Sequence, residues 1–274
     1  FCTLLCIMFA SALSWVHKFL CPPPLSPLFQ QGGPLEMLNE DVALTVAGMG
    51  FLFVVDNLIV KRFIKPKARY FALHVVANTV SAVAAFPDVV KGLTGDPRTA
   101  FSGPSHTMVA NSAVAAIHLY HCVAFPLRRE DIVHHLAFVS ILCGLAIPMK
   151  QIDGIGNNFG CFFLSGVPGG IIYANLVAVA HGLMDKMTEK RVAAAINVWL
   201  RGPSMVVYAF LGWTTYRHGN VTTGPLALLA CVLLHFTNGQ YYSQQAVESY
   251  AAHKERERAA KEASKPKAKE EKEE

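Results

Sequence analysis

Long apolar segments separated by short polar stretches make up most of the chain from residue 42 onwards. Crossing the hydrocarbon core of a bilayer takes a helix of about 20 apolar residues. Gly and Pro mark the connections between the segments, as in Gly95-Asp96-Pro97. The pattern predicts an all-α, polytopic transmembrane bundle with about seven spans, at 42–60, 70–92, 106–126, 132–149, 159–183, 193–215 and 224–246.

Two flanking regions depart from this pattern. Residues 1–20 are largely apolar and precede a Pro-rich linker at 22–40, so they form a short span, an interfacial helix or a targeting remnant. Because residue 1 is Phe, we expect the natural N-terminus to lie upstream. The tail at 251–274 carries eight Lys or Arg and seven Glu residues. We expect it to continue the last helix to about residue 264 and to be disordered beyond, either solvated or docking a partner.

Composition excludes a soluble globular domain. Hydrophobic residues make up 53% of the chain and charged residues 16%, against about 25% charged residues in typical globular domains. The seven cysteines are scattered and form no CxxC pair, so we interpret them as packing residues. We expect no cofactor, no bound metal and no nucleic-acid partner.

The loop charges orient the bundle. One set of alternate loops carries ten cations, at positions 61, 62, 65, 67, 69, 128, 129, 186, 190 and 191, whereas the other set carries four, at 91, 98, 150 and 217. Cation-rich loops stay on the cytoplasmic side of membranes. This predicts that the C-terminal tail lies in the cytosol or an equivalent compartment, with the protein in the endoplasmic reticulum or an organellar inner membrane.

Ionisable residues inside the spans are candidates for function, because they are costly in a bilayer. Asp131 precedes His134 by three residues, so it lies on the same helix face and can orient that imidazole as a general base. The alternative is that His134 and His135 only terminate the span. His118 and His121 on the preceding span can face them across the tight turn.

Four histidines in one place also suggest a metal centre, or a haem with His74 or His235 as further axial ligands. Di-iron desaturase and hydroxylase sites need more histidines than this chain offers, so we expect no metal. Arg201 lies in mid-span and needs an acid, a carbonyl or an anionic ligand, with Asp56, Asp88 or a lipid headgroup as candidates. Asn238 can form hydrogen bonds across helices.

These residues together resemble the TLC domain family. That family includes ceramide synthases, translocating-chain-associating membrane proteins and an endoplasmic-reticulum cargo receptor of the ceroid lipofuscinosis class. The resemblance covers about residues 67–250. His134-His135 matches the family's HH motif, Arg201 matches an arginine of the penultimate span, and Asn238-Gly-Gln-Tyr-Tyr242 resembles the Asn-x-x-Trp/Tyr-aromatic pattern of the last span.

The resemblance implies that the last six spans form a barrel around a cavity open to the membrane or the cytosol. Residues 1–66 would precede this domain and 251–274 would follow it as the tail. The implied ligand is a membrane lipid or an acyl chain. The residues expected to bind it are His118, His121, Asn175, Arg201 and Asn238, with His134 or His135 beside them.

Departures from the family pattern weaken the expectation of catalysis. His118 stands where family members often have an acid, and the Thr that commonly follows the HH motif in ceramide synthases is absent. Three hypotheses follow. The protein handles or senses lipid without catalysis; or it is a non-catalytic subunit of a larger membrane complex that docks through its tail; or it is an acyl-CoA-dependent N-acyltransferase. In the last case His134 or His135 is the base and Asp131 orients it.

Overall fold

The computed structural model describes residues 34–149, 154–220 and 225–264. In these ranges the chain is helical and has no strand. The helices are α1 (34–63), α2 (Pro66–Thr94), α3 (Val109–Ala124), α4 (129–149), α5 (Gly154–His181), α6 (Lys186–Arg217) and α7 (Pro225–Ala263). Each predicted apolar segment overlaps one of these helices, which confirms the all-α class. The interpretation of residues 1–20 and the predicted disorder of the last ten residues lie outside the described residues.

Four helices are long and apolar enough to cross a membrane: Asp41–Phe63 within α1, and the whole of α2, α5 and α6. α3 is apolar but only 16 residues long. Large apolar side chains lie on the outer surface of these helices, such as Trp199, which is 80% exposed. Such a surface suits lipid rather than water. The chain therefore has the helices of an integral membrane protein.

Local sequence signals account for the ends of the helices. Gly182, at φ 77°, terminates α5 in the left-handed conformation that glycine adopts easily. The side chain of Asp185 then caps α6 by accepting a hydrogen bond from the backbone N–H of Thr188 at 2.9 Å. α7 continues as one helix through the charged residues to Ala263, as predicted for the start of the tail.

The helices that follow α1 contact one another in a closed order: α2, α3, α4, α7, α6, α5 and back to α2. α1 packs outside this ring, mainly against α3. One apolar core lies between α5 and α6 and includes Phe101, from the loop after α2, packed on Phe159 and Tyr208. A second core lies where α1, α2 and α3 meet, around Leu73 and Ile117.

The cation-rich loops share one end of the bundle. The backbone N–H of Lys65, between α1 and α2, donates to Nε2 of His181 at the end of α5. The guanidinium of Arg69 lies 4.5 Å from the ring centre of Phe125, in the loop between α3 and α4. At the opposite end, Asn220 donates to the backbone carbonyl of Arg98 at 2.9 Å. The loops alternate between the two ends, as the charge pattern predicts.

A buried ion pair joins α1 to the ring. Asp56 is fully buried and accepts hydrogen bonds from both Nε and Nη2 of Arg69 on α2, the first at 2.7 Å. The hydroxyl of Tyr120 on α3 donates to the same carboxylate at 2.6 Å. Three helices therefore meet at one carboxylate, and its charge is compensated inside the protein.

Replacing Asp56 by Asn should destabilise the protein by on the order of 3 kcal/mol, because the charge of Arg69 would lose its buried counter-ion. Thermal unfolding followed by size-exclusion chromatography measures the loss. Glu262→Gln is the control, since it removes an acid from an exposed pair with Arg258 and should change little. Equal melting temperatures for Asp56→Asn and the control would show that the buried pair does not hold α1.

Candidate functional site

Four helices contain a stretch of π-helix, at Asp56–Val60, His135–Val139, Cys161–Gly166 and Asn197–Arg201. Such stretches are rare, shift the helix face by a residue, and occur often at functional sites. Three of them lie in α4, α5 and α6, and each includes or adjoins residues of the sites described below. The sequence pattern gives no sign of them, because each stretch lies inside a continuous helical segment.

Five imidazoles from three helices form a cluster, here called the histidine cluster: His74, His118, His121, His134 and His135. The ring centre of His118 lies 5.5 Å from that of His134 and 5.0 Å from that of His135. His121 contacts His135 with ring centres 5.2 Å apart, and His74 approaches His118 at 6.1 Å. The structure thus brings the histidines of α3 and α4 into contact, as the short connection between these helices leads us to expect.

Hydrogen bonds fix the tautomer of several of these rings. Nδ1 of His118 lies 2.7 Å from the carbonyl oxygen of Val114, and Nδ1 of His74 lies 3.0 Å from that of Tyr70. A carbonyl oxygen can only accept, so each Nδ1 donates and carries the proton. In a neutral ring Nε2 is then an acceptor. His235 on α7 has the same arrangement with the carbonyl of Cys231.

A cavity of about 60 Å³, with polar side chains set in a largely apolar wall, lies beside the cluster inside the ring of helices. Nδ2 of Asn157 and Oδ1 of Asn238 are buried there without a hydrogen-bond partner among the described residues. A cavity of this volume holds about four water-sized groups, so it suits a small polar group. It is too small for the acyl chain expected from the family resemblance. The polar lining consists of Asn111, His118, His134, Asn157, Ser165, His235 and Asn238.

The imidazoles of the cluster pack edge to face or tilted, as aromatic rings do. Among the described residues no three His, Cys, Asp or Glu side chains are grouped so as to hold a metal ion. The geometry of the cluster is thus that of packed aromatic rings.

Asp131 is engaged by Arg128 at the start of α4. Its carboxylate accepts hydrogen bonds from the backbone N–H of Arg128 at 3.0 Å and from Nε and Nη2 of the same residue, both at 3.1 Å. Burial raises the pKa of Asp131, but these hydrogen bonds outweigh it, so the pKa lies below its ordinary value of 3.8. The described hydrogen bonds of Asp131 therefore cap the helix. A general-base pair would require the carboxylate to orient His134 instead.

Arg201 lies in the π-helical stretch of α6, and its side chain is held by neutral groups. Nε donates to the carbonyl of Leu164 on α5 at 3.1 Å, and Nη1 donates to Oδ1 of Asn197 at 2.5 Å. Pro168 has no N–H to offer the Leu164 carbonyl four residues earlier, so that oxygen accepts from the guanidinium. The guanidinium also faces the ring of Tyr242, 5.7 Å from its centre.

Of the partners expected for Arg201, the structure shows a carbonyl, that of Leu164, and neither of the candidate acids, Asp56 and Asp88. Asp56 is bound to Arg69 on α2 and to Tyr120 on α3. Asp88 accepts from the backbone N–H of His106 at 2.8 Å and from the side-chain amide of Asn158 at 2.7 Å. Both carboxylates are satisfied within their own networks, which a sequence alone does not reveal.

A groove of about 620 Å³ lies on the side of the bundle between α6 and α7. Val198, Pro203, Val206 and Val207 provide its apolar wall, and Asn197, Gly202, Gln240 and Ser243 provide a polar strip. Asn197 lines this groove and Leu164 lines the interior cavity. Arg201 is hydrogen-bonded to both, so its guanidinium lies between a residue of the groove and a residue of the cavity.

The structure groups the predicted site residues unevenly. His118, His134 and Asn238 line the cavity, whereas His121 and His135 belong to the adjoining cluster. Arg201 lies between cavity and groove, and Asn175 is half-buried on α5 outside both linings. Three further polar residues line the cavity and were not among the sequence candidates. The signal for Asn111 and Ser165 was a polar side chain inside an apolar segment, whereas Asn157 lies in the predicted connection before residue 159.

Comparison with protein-family models, curated proteins and solved structures finds no match to this chain. The resemblance to the TLC domain family therefore rests on the residues and their spacing.

Replacing Asp131 by Asn should flatten the acid side of the stability profile. Since the folded pKa of Asp131 lies below its ordinary value, its contribution is complete above that value and is lost as the pH falls through the folded pKa. We expect the wild type to lose more stability than Asp131→Asn between about pH 5 and about pH 2. Thermal unfolding across this range measures the difference, with Glu130→Gln as the control. Parallel profiles for wild type and Asp131→Asn would contradict the assignment.

Replacing Gly160 by Ala should destabilise the cavity wall. An added Cβ would lie 2.2 Å from Nε2 of His235, whose ring is fixed by stacking on Tyr208 with centres 4.4 Å apart. Overpacking of this kind costs about 1–3 kcal/mol. Gly144→Ala is the matched control, since among the described residues no heavy atom outside its own stretch of helix lies within 4 Å of its Cβ position, and Ala favours a helix over Gly. Equal melting temperatures for wild type and Gly160→Ala would show that the His235 ring is free to move.

Proposed function

We propose that this chain is a multi-pass membrane protein that binds a membrane lipid without altering it chemically. The observation that carries the proposal is the groove between α6 and α7, which meets the polar interior at Arg201. A lipid is amphipathic, and the groove offers an apolar wall with a polar strip along it.

The family resemblance supports the same function. In this proposal α2 to α7 form a TLC-like barrel over about residues 67–250, α1 is an additional span, and all seven helices cross the membrane. The closed order of helix contacts and the placement of α1 outside that ring are what such a barrel needs. The tail then lies on the cytosolic side of an endoplasmic-reticulum or organellar inner membrane, or its equivalent.

Binding without catalysis fits the histidine cluster better than acyl transfer does. A general base at His134 needs a carboxylate that orients it and stabilises its charged form. Asp131 is engaged by Arg128, and the opposing group on α3 is another imidazole, His118. Clustered imidazoles disfavour charging one another.

A second candidate function, docking to a larger membrane complex, is favoured by the length of α7. From Glu248 to Ala263 the helix extends for about 24 Å and carries exposed ion pairs, such as Lys261 with Glu257 at 2.8 Å. A charged helix that leaves the bundle is suited to contact a partner. This role is compatible with lipid binding in the groove.

Blocking the groove tests the proposed function. Val206→Trp would fill the apolar wall of the groove and should reduce the lipid that copurifies with the protein in mild detergent. Val46→Trp is the matched control, because Val46 is exposed on the outer surface of α1 to a similar extent, 60% against 53% for Val206. Mass spectrometry of extracted lipids gives the amount per protein molecule.

The proposal is wrong if wild-type protein carries no more bound lipid than Val206→Trp does while both remain folded. In that case the docking role of the α7 extension is the better explanation of the chain. Melting curves recorded on the same samples separate loss of binding from loss of fold.

A further inference from the structure

We infer that the lipid bound in the groove between α6 and α7 bears a phosphate, and that Arg201 is the residue that holds it. The inference deepens the proposed function and rests on it. The evidence comes from the burial of Arg201, the neutrality of its partners, its remaining donors, and its position relative to the membrane surface.

Arg201 is a buried cation whose described partners are all uncharged. It is 8% exposed, and its guanidinium contacts the Leu164 carbonyl, the Asn197 amide and the Tyr242 ring. Among the described residues, none of the ion pairs includes Arg201. An uncompensated charge is costly in an apolar environment. An anionic ligand would supply the missing counter-charge.

Asp56 and Arg69 show how the same bundle treats a charge that serves structure. Asp56 is fully buried, and its carboxylate receives a cation and a tyrosine hydroxyl directly. No carboxylate of the described residues contacts Arg201, although Arg201 is buried as well. A charge that stabilises the fold is expected to be paired inside the protein, whereas a charge that binds a ligand is expected to lack an internal counter-ion.

The guanidinium has donors left for such a ligand. It carries five N–H groups in a planar fork, and the described hydrogen bonds engage Nε and Nη1. Two parallel N–H groups match two oxygens of a phosphate. Asn197 is held in place by its own hydrogen bond, from Nδ2 to the carbonyl of Ala193 at 2.8 Å, so that Oδ1 keeps the guanidinium oriented.

The groove gives a headgroup a route to this charge. At Gly202, next to Arg201, an added Cβ would lie 3.3 Å from the backbone oxygen of Asn197, 3.6 Å from Oγ of Ser243 and 3.9 Å from Nε2 of Gln240. The missing side chain therefore lets α6 and α7 approach closely, and Ser243 and Gln240 present polar groups to the groove. Asn197 lines the groove and its Oδ1 accepts from Nη1 of Arg201, so a phosphate held beside Asn197 would lie next to the guanidinium.

The depth of Arg201 also fits a lipid headgroup. Its guanidinium is level with Tyr242 on α7, and the first charged residue after Tyr242 is Glu248, which is exposed. Six helical residues span about 9 Å. Arg201 therefore lies within about two helical turns of the bundle end where charged residues begin. A phospholipid in the adjacent leaflet can place its phosphate there while its chains follow the groove.

Two lipids that differ only in phosphate test the inference. Phosphatidic acid and diacylglycerol with identical acyl chains are titrated onto the full-length protein in non-ionic detergent micelles, and binding is followed by native mass spectrometry. We expect wild-type protein to bind phosphatidic acid at least about tenfold more tightly, as a charge-assisted bidentate contact implies. Arg201→Gln should abolish this preference and leave binding of diacylglycerol unchanged.

Two further variants serve as references. Arg201→Lys should keep part of the preference, because it retains the charge but loses the fork. Arg217→Gln should keep all of it, because it removes the same charge from the exposed end of the same helix. The comparison of the two lipids on wild-type protein does not depend on whether any variant folds.

Distinct outcomes would overturn the inference. Equal wild-type affinity for the two lipids, or an unchanged preference in folded Arg201→Gln, would show that Arg201 does not hold a phosphate, while lipid binding itself stands. Displacement of phosphatidic acid by an equal concentration of inorganic phosphate would identify a free anion as the ligand. Failure of both lipids to bind would overturn the proposed function as well.

Discussion

Compensation of buried charge inside an apolar bundle is the constraint on which the rest of this structure depends. With little water available, a buried charge needs its partners within the chain. Asp56 is bound by Arg69 and Tyr120, and Asp88 by Asn158 and the backbone N–H of His106. These two networks fix α1 to the ring and the loop after α2 to α5. Arg201 differs from both because its described partners are neutral, and the proposed ligand accounts for this difference.

Irregular helices make these arrangements possible. The π-helical stretches in α4, α5 and α6 alter which side chains face the interior, and Pro168 leaves the Leu164 carbonyl without its usual donor four residues later. That carbonyl then accepts from Arg201. Local loss of regular helix hydrogen bonding in α5 thereby orients a cation on α6. The cavity, the groove and the buried charge thus meet where helix geometry departs from the ideal.

Part of this was predictable from the sequence and part was not. Apolar length and Gly or Pro at the connections place the helices, and the short turn between His121 and Asp131 predicts that α3 and α4 histidines meet. The partners of Arg201 were not predictable, because they depend on a proline and a π-helical stretch in separate helices. The 60 Å³ volume of the interior cavity depends on side-chain packing, which residue types alone do not determine.

The central claim is that Arg201 holds the phosphate of a lipid whose chains lie between α6 and α7. A density map of the full-length protein in nanodiscs containing phosphatidic acid tests it most directly. The account predicts phosphate density within hydrogen-bonding distance of the Arg201 guanidinium and continuous chain density along Val206 and Val207. A guanidinium paired instead with a carboxylate of this chain, and a groove closed by side chains, would contradict it.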